Sequence, residues 1–198
     1  MFFFSLDDSA AKQCFMGDLL ESLTEKHIEW AMAQKLFFVS TAPLSKEGHI
    51  NCSPKGGDCF AFPDSDTFVY ADYTGSGNET IAHLHENGRI LIMFSSFEGP
   101  PRIMRLHGKG NTYFPGSGRY ETYSSLLPQN PGLRSMIEVS IERASVSCGF
   151  SVPYYDFVGP RDMLDKWASA RGPDGIAAYR EEKNQTSIDG LPGYGQLA

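Results

Sequence analysis

The stretch Phe68–Phe94, FVYADYTGSGNETIAHLHENGRILIMF, decides how the rest of the chain is read. It begins as a strand, with Phe68, Tyr70 and Asp72 alternating against Val69 and Ala71. A glycine-rich turn follows, then a short helix from about Asn78 to Asn87, with Ile81 and Leu84 on its apolar face. Asn87-Gly88 supplies a left-handed stop, and Arg89 opens a second strand. Repeated along the chain, such strand–helix–strand units would build a doubly wound parallel sheet. They do not repeat. LFFVSTAPL (36–44), HINCSP (49–54), RIMRLHGKGNTYF (102–114) and SMIEVSIERASVSCGFSV (135–152) read as strands joined mostly by turns. Helices are expected in LTEKHIEWAMAQKL (23–36, with Thr24 as N-cap), RYETYSSLL (119–127), DMLDKWASAR (162–171) and GIAAYREEKN (175–184). The pattern predicts a mainly β, α+β fold: an antiparallel barrel or sheet with a few helices attached.

The totals exclude several classes. At 198 residues, 41% hydrophobic and 21% charged, the chain can bury one sizeable core. A formal net charge of -7 argues against a non-specific nucleic-acid binder. No apolar run reaches membrane-spanning length. MFFFSLDDSA (1–10) lacks a basic leader region, so a cytoplasmic protein with reduced thiols is expected. Cys14, Cys52, Cys59 and Cys148 are too few for a disulfide scaffold and form no CxxC pair. The sequons at Asn78 and Asn184 would then carry no glycan.

The turn Thr74–Thr80, TGSGNET, has two readings. Ser76 and Glu79 stand in S-x-x-E spacing, which predicts a capping box. The same helix start offers unpaired N–H groups to an anion, and Thr74, Ser76 and Thr80 add hydroxyls. The lysine of a Walker A loop and the third glycine of a dinucleotide fingerprint are both missing.

Three blocks, FFVSTAPLSKEGHINCSPKGG (37–57), the opening stretch and FEGPPRIMRLHGKG (97–110), together resemble the pyridoxamine 5'-phosphate oxidase-like flavoproteins. The likeness runs in order over about residues 24–155. It implies one domain over residues 1–198: a six-stranded antiparallel split barrel as core (about 24–155) and a helical C-terminal tail (about 156–198). It further implies a homodimer holding FMN at the subunit interface and acting as an oxidoreductase on a small organic substrate. Deazaflavin or haem are the alternative cofactors, and a non-catalytic flavin- or haem-binding protein is the alternative function. Asn51, Ser53, Pro54 and Lys55 would line the flavin ring. Tyr73, Thr74, Gly75, Ser76, Gly77, Asn78, Glu79 and Thr80 would surround the ribityl phosphate, and Arg102 could reach an anion across the dimer interface. One departure stands out: YTGSGNET lacks the family's Arg-Lys pair on the phosphate, which speaks against oxidation of pyridoxamine phosphate itself.

Lys55 is the candidate catalytic residue, a cation for negative charge on a reduced ring; as a residue of the turn SPKGG it can equally be solvated. His83 and His85 lie two apart on a helix and splay about 200° around its axis, so no metal site is expected. Trp167 reads either as a pocket cap or as a core residue.

Overall fold

The computed structural model describes residues 18–198. Cys14 and the leader reading of residues 1–10 lie outside the described residues. The strands are β1 (Asp18–Leu20), β2 (Leu36–Thr41), β3 (Asn51–Gly56), β4 (Phe60–Ala61), β5 (Thr67–Tyr73), β6 (Arg89–Ser95), β7 (Ile103–Tyr113) and β8 (Leu133–Ser147). The helices are α1 (Glu25–Met32), α2 (Glu79–Asn87), α3 (Gly118–Ser124), α4 (Met163–Lys183) and α5 (Tyr194–Leu197).

All strands join one antiparallel sheet in the order β3-β2-β6-β7-β8-β5-β4, with β1 added beside β8. β5 and β6, which flank α2 in sequence, are therefore not neighbours: β7 and β8 lie between them. The opening stretch is a crossover inside an antiparallel sheet, not a parallel unit. Among the described residues the expected six strands become eight. The six long strands are the expected ones; β1 and β4 add three and two residues. The physical reason lies in β8, which is 15 residues long, while β5 pairs only with Leu133–Ser140. β1 covers the open edge that remains at Ala144–Val146.

The sheet curls until strands from opposite ends of the order meet inside it. Phe37 of β2 lies 5.1 Å from Phe60 of β4 and 5.5 Å from Phe68 of β5, both edge-to-face. Phe94 of β6 joins this cluster 5.5 Å from Phe37. Such aromatic packing excludes water over a large area and fixes ring geometry. β2 is buried on one side, with Phe37, Val39 and Thr41 inward. β5 is buried along both faces, with Val69 and Ala71 as inaccessible as Phe68 and Tyr70.

Thr24 is the N-cap of α1, as predicted, and its N–H donates to His27 Nδ1. α2 ends at Gly88, whose φ of 70° is the left-handed stop the sequence predicts. α4 holds the two predicted tail helices, joined at Gly172, where φ 66° and ψ 175° break the helix before Pro173 starts it again. No helix among the described residues is long and apolar enough to cross a membrane.

Candidate functional site

β3 is an edge strand, bonded only to β2. Asn51, Ser53 and Lys55 are half-buried on one face, while Cys52, Pro54 and Gly56 are exposed on the other. The inner face meets α2 and β5 through side chains rather than backbone pairing, and this gap is the split of the barrel. Asn51 Nδ2 donates to Thr41 Oγ1 at 3.1 Å and to Thr80 Oγ1 at 3.0 Å. Ser53 Oγ donates to Asn51 Oδ1 at 3.0 Å. His83 Nδ1 completes the chain at 2.9 Å from Thr41 Oγ1. His83 is fully buried, its Nε2 has no partner among the described residues, and burial lowers its pKa, which favours the neutral ring.

Deeper in the split, Asp72 at the end of β5 receives Arg134 Nε at 2.9 Å and Ser135 Oγ at 3.1 Å. Lys55 Nζ stands 3.5 Å from its other oxygen. Burial alone would raise the Asp72 carboxyl. The Arg134 and Lys55 charges, with the Arg134 and Ser135 hydrogen bonds, outweigh it and hold the carboxyl below its ordinary value. Tyr70 is buried beside this cluster. Burial first, then the Asp72 charge, push its phenol far up; Thr80 weighs on it without a well-formed hydrogen bond.

Arg134 also organises the glycine turn. Its Nη1 donates to Gly77 O at 3.0 Å and Asn184 Oδ1 at 2.9 Å, with Gly75 O at 3.5 Å. In a trans peptide the C=O and the following N–H point in opposite directions. With the Gly75 and Gly77 carbonyls turned inward to Arg134, the N–H groups of Ser76 and Asn78 point away from it; the Asn78 N–H is taken by the Glu79 carboxylate, and the Ser76 N–H faces outward with no partner among the described residues. Thr74 beneath them donates to Gly132 O and accepts from Arg180 Nε, each at 2.9 Å.

The expected Ser76–Glu79 capping box does not form. The N-cap is Asn78, and Ser76 is exposed with no hydrogen bond to any described residue. Glu79 turns its carboxylate onto the Asn78 N–H at 3.0 Å, two residues beyond the Ser76 N–H that the box would use. The Asn78 side chain looks the other way, donating to Asn184 O and accepting from Tyr194 N–H. The two sequon asparagines thus touch, both buried, where neither can carry a glycan.

Most of the sequence-predicted residues converge on the split: Asn51, Ser53 and Lys55 on β3, and Thr74–Thr80 on the turn, with Pro54 on the outer face of β3. Tyr73 sits half-buried at the end of β5, its phenol pushed up to about 12 by burial and then by Cys59, Asp165 and Asp58. Arg102 is apart from them within one chain; its guanidinium stacks 5.3 Å from the Trp30 ring centroid on α1. Trp167 packs edge-on against Tyr179 within the α4 segment, 5.0 Å away. His83 is buried and His85 exposed, and among the described residues no three His, Cys, Asp or Glu side chains gather as for a metal. Cys52, Cys59 and Cys148 are free thiols.

Sequence reading missed Asp72 as a charge centre, Arg134 and Arg180 altogether, and Asn184 as anything but a sequon. Arg134 carried a signal: an arginine at the start of a strand that continues into Met136 and Ile137 must find a partner when buried.

The curled antiparallel sheet, its side-chain-bridged split and the glycine turn leading into α2 define the class: a split-barrel protein. No family model matches the chain. Over 190 residues it is 40% identical to the pyridoxamine 5'-phosphate oxidase family protein ustO of Aspergillus flavus, covering 87% of this chain and 76% of that one. The chain belongs to the pyridoxamine 5'-phosphate oxidase family. Among solved structures, HupZ of Group A Streptococcus is similar at 21% identity and a TM-score of 0.48, over 62% of this chain and 91% of that one. An FAD-binding protein of Mesorhizobium loti is similar at 12% identity and 0.46, over 64% and 95%.

Proposed function

We propose that the protein binds FMN at the split, as a homodimer with the cofactor at the subunit interface, and oxidises or reduces a small organic molecule. The observation that carries this reading is the convergence of two donor surfaces. The inner face of the edge strand β3 presents Ser53 and Lys55 where a flavin ring would lie. The Gly75–Gly77 turn presents the outward Ser76 N–H and the Ser76 hydroxyl where a phosphate would lie.

The residues present fit such a group. A Cβ built on Gly75 meets nothing within 4 Å, so the outer side of the turn is open. Cations absent from YTGSGNET would come from other elements: Arg134 and Arg180 stand behind the turn, and Lys55 stands over Asp72, two residues before it. Bound flavin would supply two-electron redox chemistry. The chain would supply position and field. Ser53 and Asn51 orient the edge of β3, Lys55 places a cation in the split, and the inner aromatic cluster excludes water.

The test is direct. Purified protein, alone or given FMN, should show a flavin absorbance spectrum, and Lys55→Ala should slow flavin reduction more than it weakens flavin binding. An unchanged reductive half-reaction would remove Lys55 from the chemistry. A flavin or haem spectrum without turnover would favour a non-catalytic binder. A colourless protein that ignores FMN would end the reading.

A further inference from the structure

The turn is not held by the barrel alone. Beyond α4, residues 184–194 fold into a small hairpin, with a bridge between Thr186 and Pro192 and a bond from Ser187 N–H to Leu191 O. This hairpin lies across the turn and is tied to it on both sides. Asn184, with no exposed surface, donates from Nδ2 to Gly75 O at 2.9 Å and accepts from Arg134 at Oδ1. Its backbone O receives Asn78 Nδ2. Ile188 N–H donates to the other oxygen of Glu79 at 3.3 Å. Tyr194 N–H donates to Asn78 Oδ1, and Gly193 passes so near that an added Cβ would fall 1.4 Å from Asn78 Nδ2. At its tip, Asp189 accepts from His49 N–H and meets His49 Nδ1 at 2.7 Å, which anchors the hairpin to the β2–β3 connection.

We infer that segment 184–194 is a built part of the anion seat, with Asn184 as a positioning residue that fixes the Gly75–Gly77 turn so that the Ser76 amide faces the ligand phosphate. The inference rests on the flavin reading above. The geometry gives the reason. Arg134 alone reaches Gly77 O well and Gly75 O at only 3.5 Å. Asn184 Nδ2 supplies the stronger hold on Gly75 O, and it is this carbonyl whose inward turn sends the Ser76 N–H outward. The hairpin therefore sets the orientation of a donor it does not touch.

The test compares FMN with riboflavin, which lacks the phosphate, in the wild type, Asn184→Ala and Gly193→Ala. Neither substitution changes a charge, so lost discrimination reports position and not field. FMN dissociation constants should rise about tenfold while those of riboflavin move less than about twofold; tenfold corresponds to about 1.4 kcal/mol. Folded variants that keep the wild-type FMN-to-riboflavin ratio would overturn the inference. Hydrogen exchange supplies a readout independent of both variants' folding and of flavin. The Asn78 amide of the wild type should open together with the hairpin amides of Ser187 and Gly193, and faster exchange at Asn78 would break the proposed lock. A wild type that shows no preference for FMN over riboflavin overturns the phosphate seat instead, and the exchange result then decides the lock by itself.

Discussion

Arg134→Met is the most informative single perturbation of this fold. The Arg134–Asp72 pair spans 2.9 Å, with side chains 4% and 1% exposed. Removing one partner of a buried pair costs about 3–5 kcal/mol, because the remaining charge is left in a poor medium. Two features act in opposite directions here. Lys55 and Ser135 still serve Asp72, which limits the loss; Gly77 O and Asn184 Oδ1 lose a donor, which adds to it. The pair figure is therefore a fair expectation for the whole. At about 2–4 °C per kcal/mol for a chain of this size, the melting temperature should fall by roughly 6–20 °C.

The same variant has a pH signature. The folded Asp72 carboxyl sits below its unfolded value, so its stabilisation is fully present above the ordinary carboxylate pKa of about 3.9 and is lost as pH falls through the lowered folded value. Arg134 is the largest cause of that lowering, so the variant should begin acid unfolding at higher pH than the wild type. Urea titrations at neutral pH and a pH series of thermal melts measure both effects. A loss below about 1 kcal/mol at neutral pH, or an unmoved acid transition, would refute the assignment of Arg134 as the partner that holds Asp72 ionised.

Two further outcomes follow from α2 and its turn. Gly88→Ala should cost about 1–2 kcal/mol by denaturant titration from the left-handed backbone alone, since the nearest atom to the new Cβ is Lys109 Cδ at an ordinary 3.5 Å. Ser76→Ala should change stability by less than about 0.5 kcal/mol, not the loss of about 1 kcal/mol that a true cap would show. In the flavin reading it should also weaken FMN more than riboflavin, and equal weakening of the two would place the phosphate elsewhere.

The long strands and α2 were legible because their signals are local. Aromatic and β-branched residues mark β2, and the Asn87-Gly88 stop marks the end of α2 within one residue. The crossover was half legible: the strand–helix–strand succession is in the sequence, but whether β5 and β6 pair is decided by β7 and β8 inserting between them. The capping box failed for an instructive reason. Glu79 has two donors within reach, and the hairpin presents Ile188 N–H to one oxygen while Asn78 N–H takes the other. A local rule lost to a partner 109 residues away. The hold of Arg134 and Asn184 on the turn was not legible for the same reason: each acts from more than 50 positions along the chain.

The placement of the cations also decides what experiments on Lys55 can mean. Two positive groups converge on one carboxylate in a chain of net charge -7, and they differ in kind. Arg134 is buried and directs its remaining donors into the turn, so its loss loosens the scaffold and the site together. Lys55 is 23% exposed and makes a single long contact with Asp72. Lys55→Ala therefore leaves Asp72 paired to Arg134 and Ser135, and the fold should survive it nearly intact. A change in flavin reduction in that variant would then report the missing charge at the split and not a disordered turn. The kinetic test belongs on Lys55 for that reason, and the stability test on Arg134.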